Sequence, residues 1–404
     1  MPTDYDNALL KEGILHYKAG DASLARRYFE RALETADENL TRLAALEYLS
    51  RLVDDPVQKR QYLESALAID PVHPEARRAL AILDGRLKPE EIINPDDPLP
   101  PAPGNVMVKT DRFTCPRCGG RMLYTPDGAS LACEFCARTQ PMRAEPSQEQ
   151  DFFTAMASAR GHSTAVSMQV SHCQGCGAEF LLAAREISTA CAWCGSVHVI
   201  LQDRTLVIPD SILPFSLDMG EALRRLQARG KTVQPPVEPE IVCLRPLYLP
   251  VWCFTVVGTT PWSGQVYRDK QLVPVSGEEF VYLVDVAVPA VQGPIRLFAS
   301  LLAGVDFSLA VAYDSRYLAS WPAQVPSVSL SNAALEARRL SVGRVRQSVH
   351  LQNDSIKDLR LQTSRLAVDT YRLVLLPVWL AEMSRRGSPL PVAVNGLTGT
   401  VHTG

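Results

Sequence analysis

The sequence predicts a multidomain protein with three parts: an all-α helical repeat, two four-cysteine zinc ribbons, and a C-terminal α+β domain with an antiparallel sheet. Three features of the 404-residue chain carry this expectation: a helical pattern recurring every 34 residues near the N-terminus, a cysteine spacing that occurs twice at a period of 58, and a run of β-type apolar segments after residue 200. With 46% hydrophobic and 21% charged residues, the chain has enough apolar material for several packed cores.

Residues 1–87 hold the helical pattern. Ala25, Phe29 and Ala32 are matched 34 residues later by Lys59, Leu63 and Ala66, and Gly20-Asp21, Asp54-Asp55-Pro56 and Asp70-Pro71 interrupt the helices. Gly13 provides a small position where two helices come close, and a last helix near Pro74–Arg86 caps the stack. This period and spacing resemble the tetratricopeptide repeat, in about two and a half units. The resemblance implies a concave face built by successive first helices, with Tyr17, Lys18, Tyr48, Arg51, Arg78 and Arg86 at peptide-binding positions. It also implies a protein or peptide partner for residues 1–87, and because these positions set cations beside aromatic rings, the expected partner bears acidic residues or a free C-terminal carboxylate.

Residues 88–110 form a Pro-rich acidic linker, with six prolines and four acidic residues between Lys88 and Gly104. Proline favours extended backbone, so this segment is expected to hold the helical unit apart from the ribbons.

Next come the cysteines. Cys115, Cys118, Cys133 and Cys136 in residues 111–142 repeat as Cys173, Cys176, Cys191 and Cys194 in residues 168–200, each quartet spaced C-x2-C-x14-C-x2-C. Two short knuckles that deliver four thiolates make a closed tetrahedral cage for Zn2+, so two structural zinc ions are expected. The blocks also match outside the cysteines, at Gly119 and Gly177, Leu123 and Leu181, and Phe135 and Trp193. His172 and His198 stand beside the second cage without being needed as ligands, while Cys243 and Cys253 read as buried apolar residues. A polar connector over 143–167, with a short helix near Gln150–Ala159, separates the ribbons.

Residues 201–404 alternate strands (Val197–Ile208, Ile241–Val257, Gly264–Tyr267, Phe280–Val288, Leu366–Leu376) with helices over Ser216–Arg229 and Ser331–Val349. Ser216 is the expected N-cap of the first helix, and Ser331 or Asn332 that of the second. Leu249-Pro250-Val251-Trp252 recurs as Leu376-Pro377-Val378-Trp379, which suggests two pseudo-symmetric halves around paired tryptophans. The ribbons, Ile212-Leu213-Pro214-Phe215, the two Leu-Pro-Val-Trp segments and Asn395-Gly396-Leu397-Thr398-Gly399 together resemble an uncharacterised bacterial zinc-ribbon family, over about residues 112–404. Members are often labelled similar to the zinc-binding part of a primosomal helicase. The resemblance implies metal binding and no particular activity, and Asn395-Gly396 itself reads as a hairpin turn.

Motifs for chemistry are missing. Nothing matches G-x4-G-K-[ST] or H-E-x-x-H, and the seven histidines form no Ser/His/Asp set, so the chain is read as a non-enzyme. With no secretory start and no run of 18 apolar residues, it is expected to be cytoplasmic, without membrane insertion. The favoured function is a zinc-binding adaptor or scaffold working through protein–protein interaction. The alternative is a nucleic-acid binder touching the phosphate backbone through ribbon 1, where residues 109–143 hold six basic and three acidic side chains. A net charge of −3 gives no general attraction to nucleic acid, which favours the adaptor.

Overall fold

The computed structural model describes residues 7–92, 115–120, 122–125, 130–158, 165–173, 178–181, 199–232, 240–268, 271–291, 295–318, 321–353, 356–385 and 388–403. It contains an N-terminal helical unit, a three-stranded sheet beside a cysteine cluster, and a large mixed sheet.

Helices α1 (Ala8–Lys18), α2 (Ala22–Thr35), α3 (Asn39–Leu52), α4 (Pro56–Ile69) and α5 (Pro74–Leu83) are joined end to end by short turns. Asn7, Asp21 and Asp55 accept hydrogen bonds from N–H groups of the first turns they open, and Pro56 and Pro74 take the first helical positions, where no N–H is needed. The α2–α3 break at residues 36–38 was not legible, because α3 opens at Glu38 without a side-chain cap. Leu10, Ala25, Phe29, Ala32, Ala45 and Leu49 make one buried cluster, and Leu63, Ala66, Ala76 and Leu80 continue it. Gly13 allows the tightest approach: a Cβ there would lie 2.6 Å from the Phe29 ring.

The helical unit is not held apart. Helix α5 lies against α6 (Phe152–Ala157), Arg77 pairs with Asp369 at 2.9 Å and Arg86 with Asp151 at 3.2 Å, and Ile92 makes a bridge to Ser158. Pro89–Glu91 form a single 3-10 turn before that bridge, so the start of the expected spacer is folded onto the neighbouring domain.

Strands β1 (Met122–Thr125), β2 (Ser130–Cys133) and β3 (Thr139–Pro141) form the small antiparallel sheet of the first cysteine block. The remaining strands join one sheet: β4 (Gln150–Asp151), β5 (Ala165–Cys173), β6 (Glu179–Leu181), β7 (Val199–Val207), β8 (Ser211–Ile212), β9 (Glu240–Arg268), β10 (Gln271–Pro289), β11 (Val311–Ala312), β12 (Ala323–Gln324), β13 (Lys357–Leu361), β14 (Leu366–Arg385), β15 (Ser388–Asn395) and β16 (Val401–Thr403). In the second cysteine block, β5 pairs with β7 over 165–173 and 199–207, so the expected ribbon limits at 168 and 200 fall inside a continuous antiparallel pair. The segments expected as Ile241–Val257 and Gly264–Tyr267 are one strand, β9, which runs through Pro250 and Pro261 and forms a long hairpin with β10.

Helices α7 (Met219–Thr232), α8 (Ile295–Leu302) and α9 (Leu330–Gln352) cover the sheet. The caps differ from those expected. Asp218 accepts from Glu221 N–H at 2.7 Å at the start of α7, while the Ser216 hydroxyl donates to the carbonyls of Gly396 and Leu397. Ser329 accepts from Asn332 N–H to cap α9. In both cases the residue just outside the first turn wins, because only there does the extended backbone aim the side-chain oxygen at free N–H groups.

One order of elements occurs twice, β8-α7-β9-β10 and β12-α9-β14-β15, with β13 added in the second. Strand β9 runs antiparallel to β14 with Leu249 opposite Leu376, so the two Leu-Pro-Val-Trp segments diverge from a shared centre. Strand β8 pairs parallel to β14 at Leu375, and β12 pairs parallel to β9 at Tyr248. Residues 247, 249, 251 and 253 pack with 374, 376, 378 and 380 under Leu297, Phe298 and Leu301 of α8. Alternate residues face the other way: Trp379 packs with Ala222 and Leu226 of α7, and Trp252 with Ala333 and Ala337 of α9. Both tryptophans are 2% exposed. Trp252 Nε1 donates to Val328 O at 2.9 Å and Trp379 Nε1 to Leu217 O at 3.2 Å, each carbonyl lying two residues ahead of the helix in the other element set.

Candidate metal centre and interaction surfaces

Cys115, Cys118, Cys133 and Cys136 converge, with all four Sγ atoms within 4.8 Å of one another. Two facing knuckles achieve this. Gly119 N–H donates to Cys115 O and Ala137 N–H to Cys133 O, and both Gly119 (φ 72°) and Ala137 (φ 54°) take the left-handed backbone that turns the chain after each second cysteine. At Gly120 a Cβ would meet Phe135 at 2.5 Å and the sulfurs of Cys118 and Cys133 at 3.3 Å, so the knuckles close over a residue without a side chain.

The sulfur spacing fits a metal. Cys115 and Cys136 are 3.5 Å apart, as are Cys118 and Cys133, close to the edge of about 3.8 Å that a tetrahedral site with Zn–S near 2.3 Å requires. Burial opposes ionisation of Cys115, but N–H groups of Arg117 and Cys118 and the thiols of Cys136 and Cys118 bring it down to about 6. Cys133 is lowered by the Cys136 N–H first and the Phe135 N–H as well. Cys118 moves the other way: the Gly120 N–H favours its thiolate, but the neighbouring sulfurs of Cys133 and Cys136 push it up to about 12, so without a cation the quartet favours thiolates at Cys115 and Cys133 while holding the proton on Cys118. Among the described residues this is the one group of three or more side chains able to hold a metal ion. The expected second site rests on Cys176, Cys191 and Cys194, which lie outside the described residues, and on Cys173 in β5, whose side chain does too. His198 is also outside them, while Cys253 is buried as expected.

The first cysteine block is no satellite. Met122, Tyr124, Leu131 and Met142 share a core with Phe215, Tyr248, Trp321 and Trp379. The Tyr124 hydroxyl donates to Phe215 O at 3.2 Å and Trp321 Nε1 donates to Tyr124 O at 3.3 Å, so the cysteine block is bolted to the large sheet.

The expected peptide-binding residues separate into two groups. Tyr17 lies edge-on to Tyr48 at 5.2 Å, Tyr48 stacks on Phe29, and the Arg51 guanidinium sits 5.5 Å above the Tyr48 ring while pairing with Glu47. Lys18 and Arg78 are exposed. Arg86 stands apart, beyond the end of α5, paired with Asp84 at 2.9 Å and with Asp151.

A buried polar cluster escaped sequence reasoning. Arg372 is 7% exposed in the middle of β14 and donates to Asp285 Oδ1 (2.7 Å), Phe307 O (3.0 Å) and Ser147 Oγ (3.0 Å). Asp285 sits at the β-bulge of β10 with φ 53°, which aims its carboxylate inward instead of onto an exposed turn. Nearby, Asp210 accepts from Leu373 N–H at 2.7 Å. Burial raises its carboxyl to about 6, against the pull of the Leu373 N–H and the Arg372 charge. Ser147 also bonds Ser211, so this cluster fastens the connector between the cysteine blocks to the sheet. A charge inside an apolar strand is visible in sequence only as a break in the pattern, and the partners come from four distant segments.

The chain matches no family model, no curated protein and no solved structure. Among the described residues no helix is long and apolar enough to cross a membrane.

Proposed function

We propose that this protein is a non-enzymatic zinc-binding adaptor of the cytoplasm, with Zn2+ at both cysteine quartets and a helical repeat unit that captures a partner's acidic or C-terminal peptide. A four-thiolate cage leaves no open coordination position, so its role is to hold ribbon 1 in shape against the sheet. The observation that carries the partner assignment is the Tyr17–Tyr48–Arg51 cluster on α1 and α3, where a cation flanks aromatic rings at the surface of the helical unit. Arg78 on α5 extends it, and Arg86 is assigned to docking on Asp151 instead. The test is capture of peptides with acidic tails and free carboxylates by the full chain. Arg51→Glu with Arg78→Glu should lose most of the capture, Arg86→Ala should retain it, and unchanged capture by the charge-reversed protein refutes the assignment.

A second reading has its own support. Phe135 is 76% exposed on the second knuckle, and Arg117, Arg138 and Arg143 of the same cysteine block are exposed and make no ion pair among the described residues. An exposed aromatic ring in a block that also carries exposed cations suits stacking on a single-stranded nucleic acid. Salt-dependent binding of a labelled oligonucleotide that falls in Phe135→Ala would move the function to ribbon 1.

A further inference from the structure

The helical unit and the C-terminal domain line an open cavity of about 520 Å3 between α5, α6, α9 and the start of β14. This is the size range of small-molecule sites. Phe152, Phe153 and Met156 of α6 form one apolar wall, and Phe152 is fixed edge-on against Phe254 and Tyr371. Leu335 of α9 stands at the rim, 67% exposed.

Two guanidinium groups line this apolar space, and they differ. Arg77 is already neutralised by Asp369 at 2.9 Å and donates to Pro71 O at 2.7 Å. Arg338 donates one bond to the Thr363 carbonyl and has no carboxylate partner among the described residues, since the adjacent Glu336 pairs with Arg339. A partly buried cation beside aromatic and aliphatic walls has lost hydration without gaining an opposite charge, and its remaining N–H donors form a fork suited to a carboxylate. The balance is one uncompensated positive charge, which matches a monoanion better than a phosphate dianion. The walls call for an alkyl chain behind the charged head.

We infer that this cavity is a binding site for a small amphipathic carboxylate, an alkyl-chain acid whose headgroup pairs with Arg338 and whose chain lies along Phe152, Phe153 and Met156. The site shares helix α5 with the peptide groove proposed above but uses different residues: Arg78 belongs to the groove and Arg77 to the cavity. Because Val72 and Arg77 belong to the helical unit and Arg338 to the C-terminal domain, a bound acid would also tie the two together.

Calorimetric titration of the full chain with decanoate, methyl decanoate and an octapeptide ending in a free leucine carboxylate tests this. Decanoate should bind at one per chain, and its methyl ester at least roughly tenfold more weakly, the loss expected when one charge-assisted contact of about 1.4 kcal/mol is removed. Arg338→Gln should weaken decanoate binding to the same degree. Leu335→Glu, at an exposed position that tolerates substitution, should abolish it by placing a like charge at the mouth, and it keeps the test sound if Arg338→Gln does not fold. Equal binding of acid and ester, undiminished binding by both variants, or no binding of decanoate overturns the inference. Tighter binding of the octapeptide than of decanoate overturns it in favour of a peptide site.

Discussion

Replacing Trp252 or Trp379 by phenylalanine should destabilise the C-terminal domain by similar amounts, because each indole closes a matching joint. Both rings are 2% exposed, and each donates to a backbone carbonyl two residues ahead of the helix it packs against, Val328 before α9 and Leu217 before α7. Phenylalanine keeps most of the packing but removes the N–H, leaving a carbonyl short of its partner at a cost of about 1–3 kcal/mol. Alanine adds a cavity, which raises the cost to about 3–5 kcal/mol. For a domain of this size, about 2 kcal/mol lowers the thermal midpoint by about 4–8 °C. Trp262 supplies the control: its ring is buried but its Nε1 has no partner among the described residues, so Trp262→Phe gives up no hydrogen bond and should lower the midpoint least. Thermal unfolding monitored by circular dichroism compares the three. If Trp252→Phe and Trp379→Phe unfold at the wild-type temperature, or if Trp262→Phe is the most damaging, the crossed joints do not hold the two element sets together.

Three further outcomes are expected. Metal analysis of protein prepared under reducing conditions should give two zinc ions per chain, and Cys133→Ser should lose one of them and the order of ribbon 1, since a structural four-thiolate site is worth on the order of ten kcal/mol; one or no zinc in wild type contradicts the duplicated centre. Gly120→Ala should weaken metal retention against a chelator, because its Cβ would press on Phe135 and on two of the sulfurs. Asp210 carries a pH dependence: with its carboxyl raised by burial from 3.8 to about 6, its stabilising contribution is full below about pH 4 and is lost as pH rises through 6. The complete effect is about 3 kcal/mol, reduced by the partial exposure of the side chain, so urea unfolding at pH 5 and pH 7.5 should differ less in Asp210→Asn than in wild type.

The sequence by itself determined the local features: both quartet spacings, the helix breaks at Gly20-Asp21, Asp55-Pro56 and Asp70-Pro71, the close helix contact at Gly13, and the burial of Trp252 and Trp379. Each depends on a residue whose own geometry or chemistry is decisive, such as a thiolate pair at knuckle spacing or a glycine where a ring must pass. Only the tertiary structure decided that Leu249 would lie opposite Leu376, that each tryptophan would bond to the other element set, and that the first cysteine block would share a core with the sheet. It also decided that Arg86 would serve docking, that Arg372 would be buried among Ser147, Asp285 and Phe307, and that Arg338 would line a cavity with no carboxylate partner among the described residues. Register and long-range charge pairing depend on which distant segments meet, and a one-dimensional pattern records the face of each strand without naming its neighbour.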